Sequence, residues 1–436
     1  MIAQPILTKT QKYCLTFTLA LALTLAWTAL AHADGPGDLD IAFGGTGIVT
    51  DSISSGNDGG FSVAIQPDGK IVVAGISDEV GGNDSFAVIR YNSDGSRDTG
   101  FNSTGIVTTP VGTFGNYGFS VAIQPDDKIV IAGGSNNPAW GGSKFAVLRY
   151  NITGTLDTDF NNGTGFITTS IGSSFDVGRS IALQTDDKIV VAGESEASNG
   201  DRHFAVVRYT ITGTLDTDFN GTGILTTPLI DVNGLGVAIQ PDGKIVVGGD
   251  NNIVRYTITG TLDTDFNGTG IVTTPNAVGN SVALQPDGKI VVAGSSGGDF
   301  AVVRYNSDGS PDTTFNGTGI ATTFITSELD EGRSVAIQPN GKIVVAGSSG
   351  ITVADEDDIA VVRYNSDGSL DTTFGNTGVV TTPITNNLDA AWGVAIQPDG
   401  KIVAAGFSNG GAGKATFAVV RYLGDHYTYM PLILKN

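Results

Sequence analysis

Acidic and aromatic side chains are concentrated in a few short segments of this sequence that differ from one stretch of the chain to the next. The candidate ligand-binding residues are two tryptophans and five carboxylates: Trp140, Glu194, Glu196, Asp201, Asp330, Glu331 and Trp392. Carboxylates supply charge and hydrogen-bond acceptors, and aromatic rings supply a flat apolar surface. Together they suit a cation, a basic peptide or a sugar. The alternative interpretation is a solvated acidic rim with incidental aromatic residues.

Metal binding has one candidate site and one weaker match. Adjacent carboxylates repel each other unless a cation or water screens them, so Asp355, Asp357 and Asp358 form a candidate Ca²⁺ site. The segment Asn92-x-Asp94-Gly95-x-x-Asp98 contains part of a calcium loop, but it lacks the D-x-D-x-D-G order and the closing glutamate. Asx-type turns explain its composition without metal. We expect no other cofactor.

Catalytic residues are scarce in this chain. Beyond residue 33 the only histidines are His203 and His426, which excludes a three-histidine zinc site. The single cysteine, Cys14, precedes the apolar run near the amino terminus. Pairs of carboxylates can hydrolyse glycosides, so a carbohydrate-active hydrolase or lyase is the alternative function. Our main interpretation is that the protein is not an enzyme.

The candidate residues lie between copies of a repeated phrase, VAIQPDGKIVVAG. Seven versions of this phrase occur, one exact and six with one or more substitutions, at intervals of 45 to 60 residues between their lysines: Lys70, Lys128, Lys188, Lys244, Lys289, Lys342 and Lys401. This interval suits one four-stranded unit, and regular repetition of such a unit is typical of a β-propeller. The sequence therefore predicts an all-β, seven-bladed propeller of antiparallel blades.

Each repeat contains four short β patterns, which in the first copy are residues 61–66, 70–75, 86–91 and 105–109. The first three are nearly continuous apolar runs, as expected where both faces of a sheet are covered. The fourth is rich in threonine and is often followed by proline, as suits an exposed edge. We therefore predict that the four strands follow one another from the axis outward.

The ends of the chain complement each other. The last repeat ends at Tyr422 and lacks its fourth strand, whereas residues 46–50 match that strand. We therefore predict that residues 46–50 pair with residues 417–422 and close the ring.

In six repeats an arginine precedes an aspartate by eight residues, and in the last repeat Asp40 supplies the partner of Arg421. Because this pair recurs in every blade, we interpret it as a structural brace of the turn between the third and fourth strands.

The repeat LDTTFG-x-x-G-VVTT…VAIQPDGKIVVAG…FAVVRYNSDGS resembles the bacterial delta-60 repeat, a propeller repeat of secreted proteins. The resemblance extends over about residues 39–422. It implies the propeller fold, and because the family has no established activity it transfers no catalytic residue.

The remaining features concern location and partners. Residues 1–33 combine two lysines, an apolar run and an A-x-A site, which predicts a cleaved signal peptide. The propeller then spans 34–422, and residues 423–436 form a tail.

The net charge of −21 disfavours nucleic acid and anionic membranes. We expect a secreted, extracellular or cell-surface monomer that binds a protein or a glycan, or that serves as a structural interaction module. Contact would involve the strand 2–3 and 4–1 loops, which vary between repeats and share one face.

Overall fold

Seven four-stranded antiparallel sheets make up the computed structural model, which describes residues 35–78, 84–137, 141–229, 235–274, 278–351, 357–410 and 413–425. Within these residues there is no helix, and hence none long and apolar enough to cross a membrane. In every sheet the strands follow the predicted order, and the first strands of neighbouring blades contact each other around the axis.

The chain begins with strand β1 (Ile48–Asp51), which belongs to the last blade. Blade 1 contains β2 (Asp58–Ile65), β3 (Ile71–Ser77), β4 (Ser85–Tyr91) and β5 (Ile106–Thr109). Blade 2 contains β6 (Phe114–Ile123), β7 (Ile129–Asn137), β8 (Gly142–Tyr150) and β9 (Phe166–Thr169). Blade 3 contains β10 (Asp176–Leu183), β11 (Ile189–Glu196), β12 (Arg202–Tyr209) and β13 (Ile224–Thr227). Blade 4 contains β14 (Gly236–Ile239), β15 (Ile245–Gly249), β16 (Asn252–Tyr256) and β17 (Ile271–Thr273).

The remaining three blades complete the ring. Blade 5 contains β18 (Val278–Leu284), β19 (Ile290–Ser296), β20 (Asp299–Tyr305) and β21 (Ile320–Thr323). Blade 6 contains β22 (Leu329–Ile337), β23 (Ile343–Ile351), β24 (Asp358–Tyr364) and β25 (Val379–Thr382). Blade 7 contains β26 (Asp389–Ile396), β27 (Ile402–Gly410) and β28 (Lys414–Tyr422), and β1 is its fourth strand.

The hydrophobic core is divided into clusters that lie between neighbouring blades. Between blades 1 and 2, for example, Val72 and Phe86 pack with Ile129 and Leu148, and all four side chains are buried. Equivalent clusters lie at the other blade junctions. Each sheet therefore buries both of its faces, which explains why the strands are continuous apolar runs rather than alternating ones.

The ring closes as the sequence predicts. Strand β1 pairs antiparallel with β28, with Ile48 opposite Val420 and Asp51 opposite Phe417. Ahead of β1, Phe43 is fully buried in the cluster between blades 7 and 1. The amino-terminal segment therefore supplies both a strand and a core side chain to the last blade.

The arginine–aspartate braces are also confirmed. In blade 2, Arg149 Nε lies 2.7 Å from Asp157 Oδ2, and both side chains are about 96% buried. The same ion pair occurs in the other blades, and in blade 7 Arg421 pairs with Asp40 at 2.8 Å. Arg149 also donates to the carbonyl of Ile211 in blade 3, so that the brace joins neighbouring blades.

One brace is completed by the segment after the last strand. In blade 7 the third and fourth strands, β28 and β1, come from opposite ends of the chain, so that no turn joins them for Arg363 of blade 6 to contact. Asp425 takes its place: its carboxylate lies 3.0 Å from Arg363 Nη2 and 2.9 Å from Lys342 Nζ. The first residues of the predicted tail therefore belong to the ring closure, and residues 426–436 lie outside the described residues.

A β-bulge interrupts the first strand in six blades. In blade 1, Gly60 pairs with Gly75 and Ser62 pairs with Ala74, so that Phe61 between them has no partner in the ladder. Corresponding register shifts occur in blades 2, 3, 5, 6 and 7. A bulge leaves its extra residue free to point in a new direction.

The glycine that ends the phrase IVVAG makes this bulge possible. A Cβ on Gly75 would lie 1.8 Å from the carbonyl oxygen of Gly59 on the bulged strand. Because the obstacle is backbone, the two strands would have to separate.

We therefore expect Gly75→Ala to destabilise the protein by about 3 kcal/mol, near the upper end for overpacked positions, measured by urea unfolding. Gly59→Ala is the matched control, since its nearest contact would be Phe407 Cβ at 3.3 Å. Equal stability of the two variants would contradict this account of the bulge.

Candidate functional site: an axial cavity lined by one residue from each blade

The unpaired residue of the first strand in six blades, and Leu235 just ahead of β14 in blade 4, lie at the centre of the ring. The same sequence position, two residues before the phrase VAI, lines a single cavity in all seven blades. The seven residues, in blade order, are Phe61, Phe119, Arg179, Leu235, Asn280, Arg333 and Trp392. We call the space they enclose, together with Glu331, the axial cavity; its volume is about 290 Å³.

The axial cavity lies toward the variable-loop face. Five of its seven bulge-position residues lie in the first half or at the middle of their first strand, whereas Phe119 lies just past the middle of β6 and Leu235 directly precedes β14. The strand 1–2 and 3–4 turns, which carry the braces, are at the other end of the blades. Most of the lining residues are therefore nearer to the loops that differ between repeats than to the turns that carry the braces.

Aromatic residues form a continuous arc on one side of the axial cavity. The ring centroids of Phe61 and Phe119 are 5.4 Å apart, and those of Phe61 and Trp392 are 5.5 Å apart. Tyr117 stacks on the outer side of Phe119 at 5.7 Å. These residues come from blades 7, 1 and 2, which are neighbours, so that one wall of the cavity is flat and apolar.

Polar residues form the opposite side. Arg179 is held by Glu194, whose Oε1 accepts from Arg179 Nε at 2.9 Å. Glu194 is 1% exposed and also pairs with Arg202 at 3.2 Å. The guanidinium of Arg179 lies over the Phe119 ring at 4.5 Å. Glu194 therefore holds Arg179 in place, and its own buried carboxylate does not line the axial cavity.

Arg333 is held less completely. Arg333 pairs with Glu331 at 2.7 Å, and the Glu331 side chain is 32% exposed. The guanidinium lies over the Trp392 ring at 4.1 Å. Burial lowers the pKa of Arg333, although the charges of Glu331 and Asp357 act in the opposite direction. Arg333 Nε and Trp392 Nε1 are both buried without a hydrogen-bond partner among the described residues.

Asn280 completes the polar side. Its amide nitrogen donates to the carbonyl of Gly332 at 2.9 Å and to Glu331 Oε1 at 3.2 Å. The polar side is thus richer in donors than in acceptors. Ligand pockets commonly combine an apolar wall with a few such polar groups.

A second space, the flanking pocket, adjoins the axial cavity at Phe61. Its volume is about 230 Å³, and its walls include Tyr117, Phe407, Asp78 and Asp84. Burial and the neighbouring carboxylate of Asp78 raise the pKa of Asp84, against a hydrogen bond from Tyr117. One carboxyl group of this pair therefore keeps its proton to higher pH than an ordinary aspartate.

Two of the predicted ligand-binding residues, Glu331 and Trp392, line the axial cavity. A third, Glu194, lies behind it in β11 rather than on a loop. Glu196 ends the same strand and accepts from Ser174 Oγ at 2.7 Å. Asp201 accepts from Asn199 at 2.6 Å in the connection to β12. Trp140 lies outside the described residues.

Asp330 has a structural environment. It is 1% exposed, and its carboxylate accepts from the backbone N–H groups of Ile325 and Thr326 at 2.9 Å. The corresponding residue three positions before the bulge residue forms similar bonds in four other blades: Asp58, Asn116, Asp176 and Asp389. This side chain therefore fixes the strand 4–1 connection in each of these blades.

Two of the three predicted metal ligands lie in the described residues. Asp357 is 2% exposed, and its carbonyl accepts from Asp389 N. Burial and the charge of Asp389 raise the pKa of Asp358. Asp355 lies outside the described residues. Within them, no three Asp, Glu, His or Cys side chains come together in a group suited to a metal.

The part of the site that the sequence analysis missed is the bulge position itself. In five blades it stands in the pattern Gly-x-Ser-Val or Gly-x-Ser-Ile, where x is Phe, Phe, Arg, Asn or Arg. The surrounding residues repeat while x changes. The signal was thus one variable position inside a repeated strand, and it points to the axis rather than to the loops.

Comparison with known families agrees with the fold. A family profile described as a domain of unknown function (DUF5122) beta-propeller matches residues 66–101, 124–160, 184–219, 240–266, 285–315, 338–374 and 397–425. The chain belongs to this β-propeller family. Each DUF5122 repeat covers the second and third strands of one blade, and the last repeat ends at the Asp425 that completes the closure. No curated protein matches this chain significantly.

Several solved structures are similar to this DUF5122 protein in fold. A protein of unknown function from Dyadobacter fermentans has a TM-score of 0.47 at 11% identity, covering 86% of this chain and 98% of its own. Virginiamycin B lyase from Staphylococcus aureus has a TM-score of 0.44 at 12% identity, with the same coverage. An α-L-arabinofuranosidase from Fusarium graminearum has a TM-score of 0.42 at 10% identity, covering 86% and 96%. Identities this low concern the fold alone.

Proposed function

We propose that this protein is a secreted binding module that takes part of a glycan into the axial cavity on its variable-loop face. The observation that supports this most is the pattern of variation among blades. Positions that hold the blades together repeat, whereas the position that lines the axial cavity has five different residue types in seven blades. A purely structural position would be expected to repeat with its neighbours.

The chemistry of the axial cavity favours a sugar over a long peptide. The flat arc of Trp392, Phe61 and Phe119 suits the apolar face of a sugar ring, and the donors of Arg179, Asn280 and Arg333 suit its oxygens. The volume of about 290 Å³ suits a terminal unit rather than an extended segment.

We expect Trp392→Ala to weaken glycan binding at least tenfold, since removing an aromatic anchor from a desolvated pocket typically costs 2 kcal/mol or more. A glycan array followed by calorimetry on the best ligand measures this. Phe324→Ala is the matched control, because Phe324 is 67% exposed and lies outside the axial cavity. Equal loss in both variants, or no loss in either, would contradict the assignment of the site.

A carbohydrate-active hydrolase or lyase is the second candidate function, and one observation favours it. A general acid needs a carboxyl group that stays protonated near the working pH, and Asp84 in the flanking pocket has a raised pKa. Incubation of the array ligands with the protein distinguishes the two functions. The binding module leaves the ligands intact, and an enzyme releases products that are lost in Asp84→Asn.

A further inference from the structure

The two arginines of the axial cavity differ in a way that bears on the ligand. Arg179 is neutralised by Glu194, which is 1% exposed and shared with Arg202. Arg333 is neutralised by Glu331, whose side chain is 32% exposed at the cavity wall. Only the second carboxylate lies where a bound molecule can replace it.

Part of the Arg333 guanidinium has no hydrogen-bond partner among the described residues. Its Nη2 contacts Glu331, and its Nε has no hydrogen-bond partner among the described residues. The Trp392 ring covers one face of the guanidinium at 4.1 Å, and Trp392 Nε1 is another buried donor without a partner. An unpaired buried donor costs free energy until an acceptor reaches it.

We propose that the ligand is an acidic glycan and that Arg333 binds the carboxylate of its terminal uronate. In the free protein Glu331 forms an ion pair with the guanidinium of Arg333. The carboxylate of the ligand competes with Glu331 for this guanidinium and displaces it. This inference rests on the proposed glycan-binding function and specifies the charge of the ligand.

The geometry of a guanidinium supports this choice. Arginine presents a planar fork of donors that matches a carboxylate, and such paired bonds are among the strongest polar contacts in proteins. A uronate combines that carboxylate with a sugar ring, whose apolar face suits the aromatic arc of Trp392, Phe61 and Phe119.

The surroundings of Arg333 limit how many charges the ligand carries. Glu331 and Asp357 both act on Arg333, and the whole chain has a net charge of −21. A long polyanion would be repelled by this field. A glycan end with a single carboxylate, placed at Arg333 while Glu331 turns toward solvent, avoids most of that repulsion.

The test uses the protein without residues 1–34 and two trisaccharides that differ at one group. One ends in glucuronate, and in the other that carboxyl group is reduced to the alcohol. By calorimetry we expect the glucuronate ligand to bind about tenfold more tightly, in line with a charge-assisted hydrogen bond. Arg333→Gln should remove that preference.

The Glu331→Gln variant distinguishes a competing carboxylate from a ligand contact, because the two roles change the affinity for glucuronate in opposite directions. It removes the competitor with little change in shape, so that glucuronate should bind about threefold to tenfold more tightly while binding of the reduced trisaccharide changes much less. Glu196→Gln is the matched control: it changes the net charge equally, but Glu196 bonds Ser174 away from the axial cavity. This variant should bind both ligands like the parent protein.

The alternative outcomes are distinct. If both trisaccharides bind equally and depend on Trp392, the glycan-binding function stands and the proposed role of Arg333 is wrong. Weaker glucuronate binding in Glu331→Gln would also overturn it, because Glu331 would then be a ligand contact. Binding of an acidic peptide in place of either sugar would overturn the glycan class. No binding of any glycan on the array would remove the proposed function itself.

Discussion

A chain that begins at Ser52 is expected to lose its cooperative unfolding transition or to melt on the order of 10 °C below the chain that begins at Gly35. The shorter chain lacks β1, Phe43 and Asp40. Phe43 is fully buried, and loss of such a side chain costs about 3–5 kcal/mol. Arg421, with its side chain 3% exposed, loses its carboxylate partner, and leaving a buried charge unpaired costs about 3–5 kcal/mol more. The sum is comparable to the whole stability of many domains.

Peptide complementation separates closure from a general truncation effect. A synthetic peptide of residues 35–51 should bind the shorter chain and raise its melting temperature in proportion to the logarithm of its concentration above Kd. The same peptide with Phe43→Ala and Asp40→Ala is the control and should restore little. A shorter chain that melts with the parent protein would show that the ring does not depend on its amino-terminal strand.

Acid should destabilise this protein strongly between about pH 5 and pH 2. Burial alone raises the pKa of each brace carboxyl, but hydrogen bonds from lysine and backbone groups and the charge of arginine outweigh it. The pKa is therefore lowered in six braces: Asp40, Asp157, Asp216, Asp263, Asp312 and Asp371. For Asp371 it falls from 3.8 to about 2.

Proton linkage determines the direction in which stability changes with pH. A carboxyl group with a lowered pKa in the folded state stabilises that state fully above its unfolded pKa, and the contribution is lost as the pH falls through the folded pKa. For Asp371 the shift corresponds to about 2 kcal/mol at neutral pH. Because several braces titrate in the same window, the urea midpoint should fall steeply there.

Asp216→Asn tests this assignment directly. The Asp216 carboxylate lies 2.7 Å from Arg208 Nε and 3.2 Å from Lys188 Nζ. Its loss should cost about 3 kcal/mol at pH 7 and less at pH 2.5, which lies below the ordinary aspartate pKa of 3.8, so that part of the stabilisation by the lowered pKa is already lost. Asp399→Asn is the control, since that side chain is 55% exposed and exposed pairs contribute little. A penalty for Asp216→Asn that does not change with pH would contradict the linkage.

Much of the architecture was predictable because repeated residues report repeated contacts. The phrase VAIQPDGKIVVAG predicted the two inner strands, and the missing strand after Tyr422 predicted that residues 46–50 close the ring. The spacing of arginine and aspartate predicted the brace in each blade, including Asp40. These features follow from local chemistry that is the same in every copy, so comparing the copies is enough to find them.

The site was harder to predict for two physical reasons. The bulge that turns Phe61 and Arg333 toward the axis depends on the close approach of two backbones, which the alternation of side chains does not show. The strands also extend further than the repeat suggests, so that Glu194 lies inside β11 instead of in a loop. Asp330 was predicted to bind ligand, but its carboxylate instead accepts from the backbone of the strand 4–1 connection, a contact that the sequence alone does not show.

Because the bulge residue pairs with no strand, its side chain is largely independent of the hydrogen bonds that hold the blade. Duplicated copies can therefore diverge at this one place while the rest of each copy stays under the same constraint. The repeated residues therefore maintain the fold, whereas the bulge residues determine what the axial cavity contacts. This separation of roles makes the protein a natural starting point for engineered receptors, in which seven side chains around one axis are randomised together while every turn, brace and closure is left unchanged.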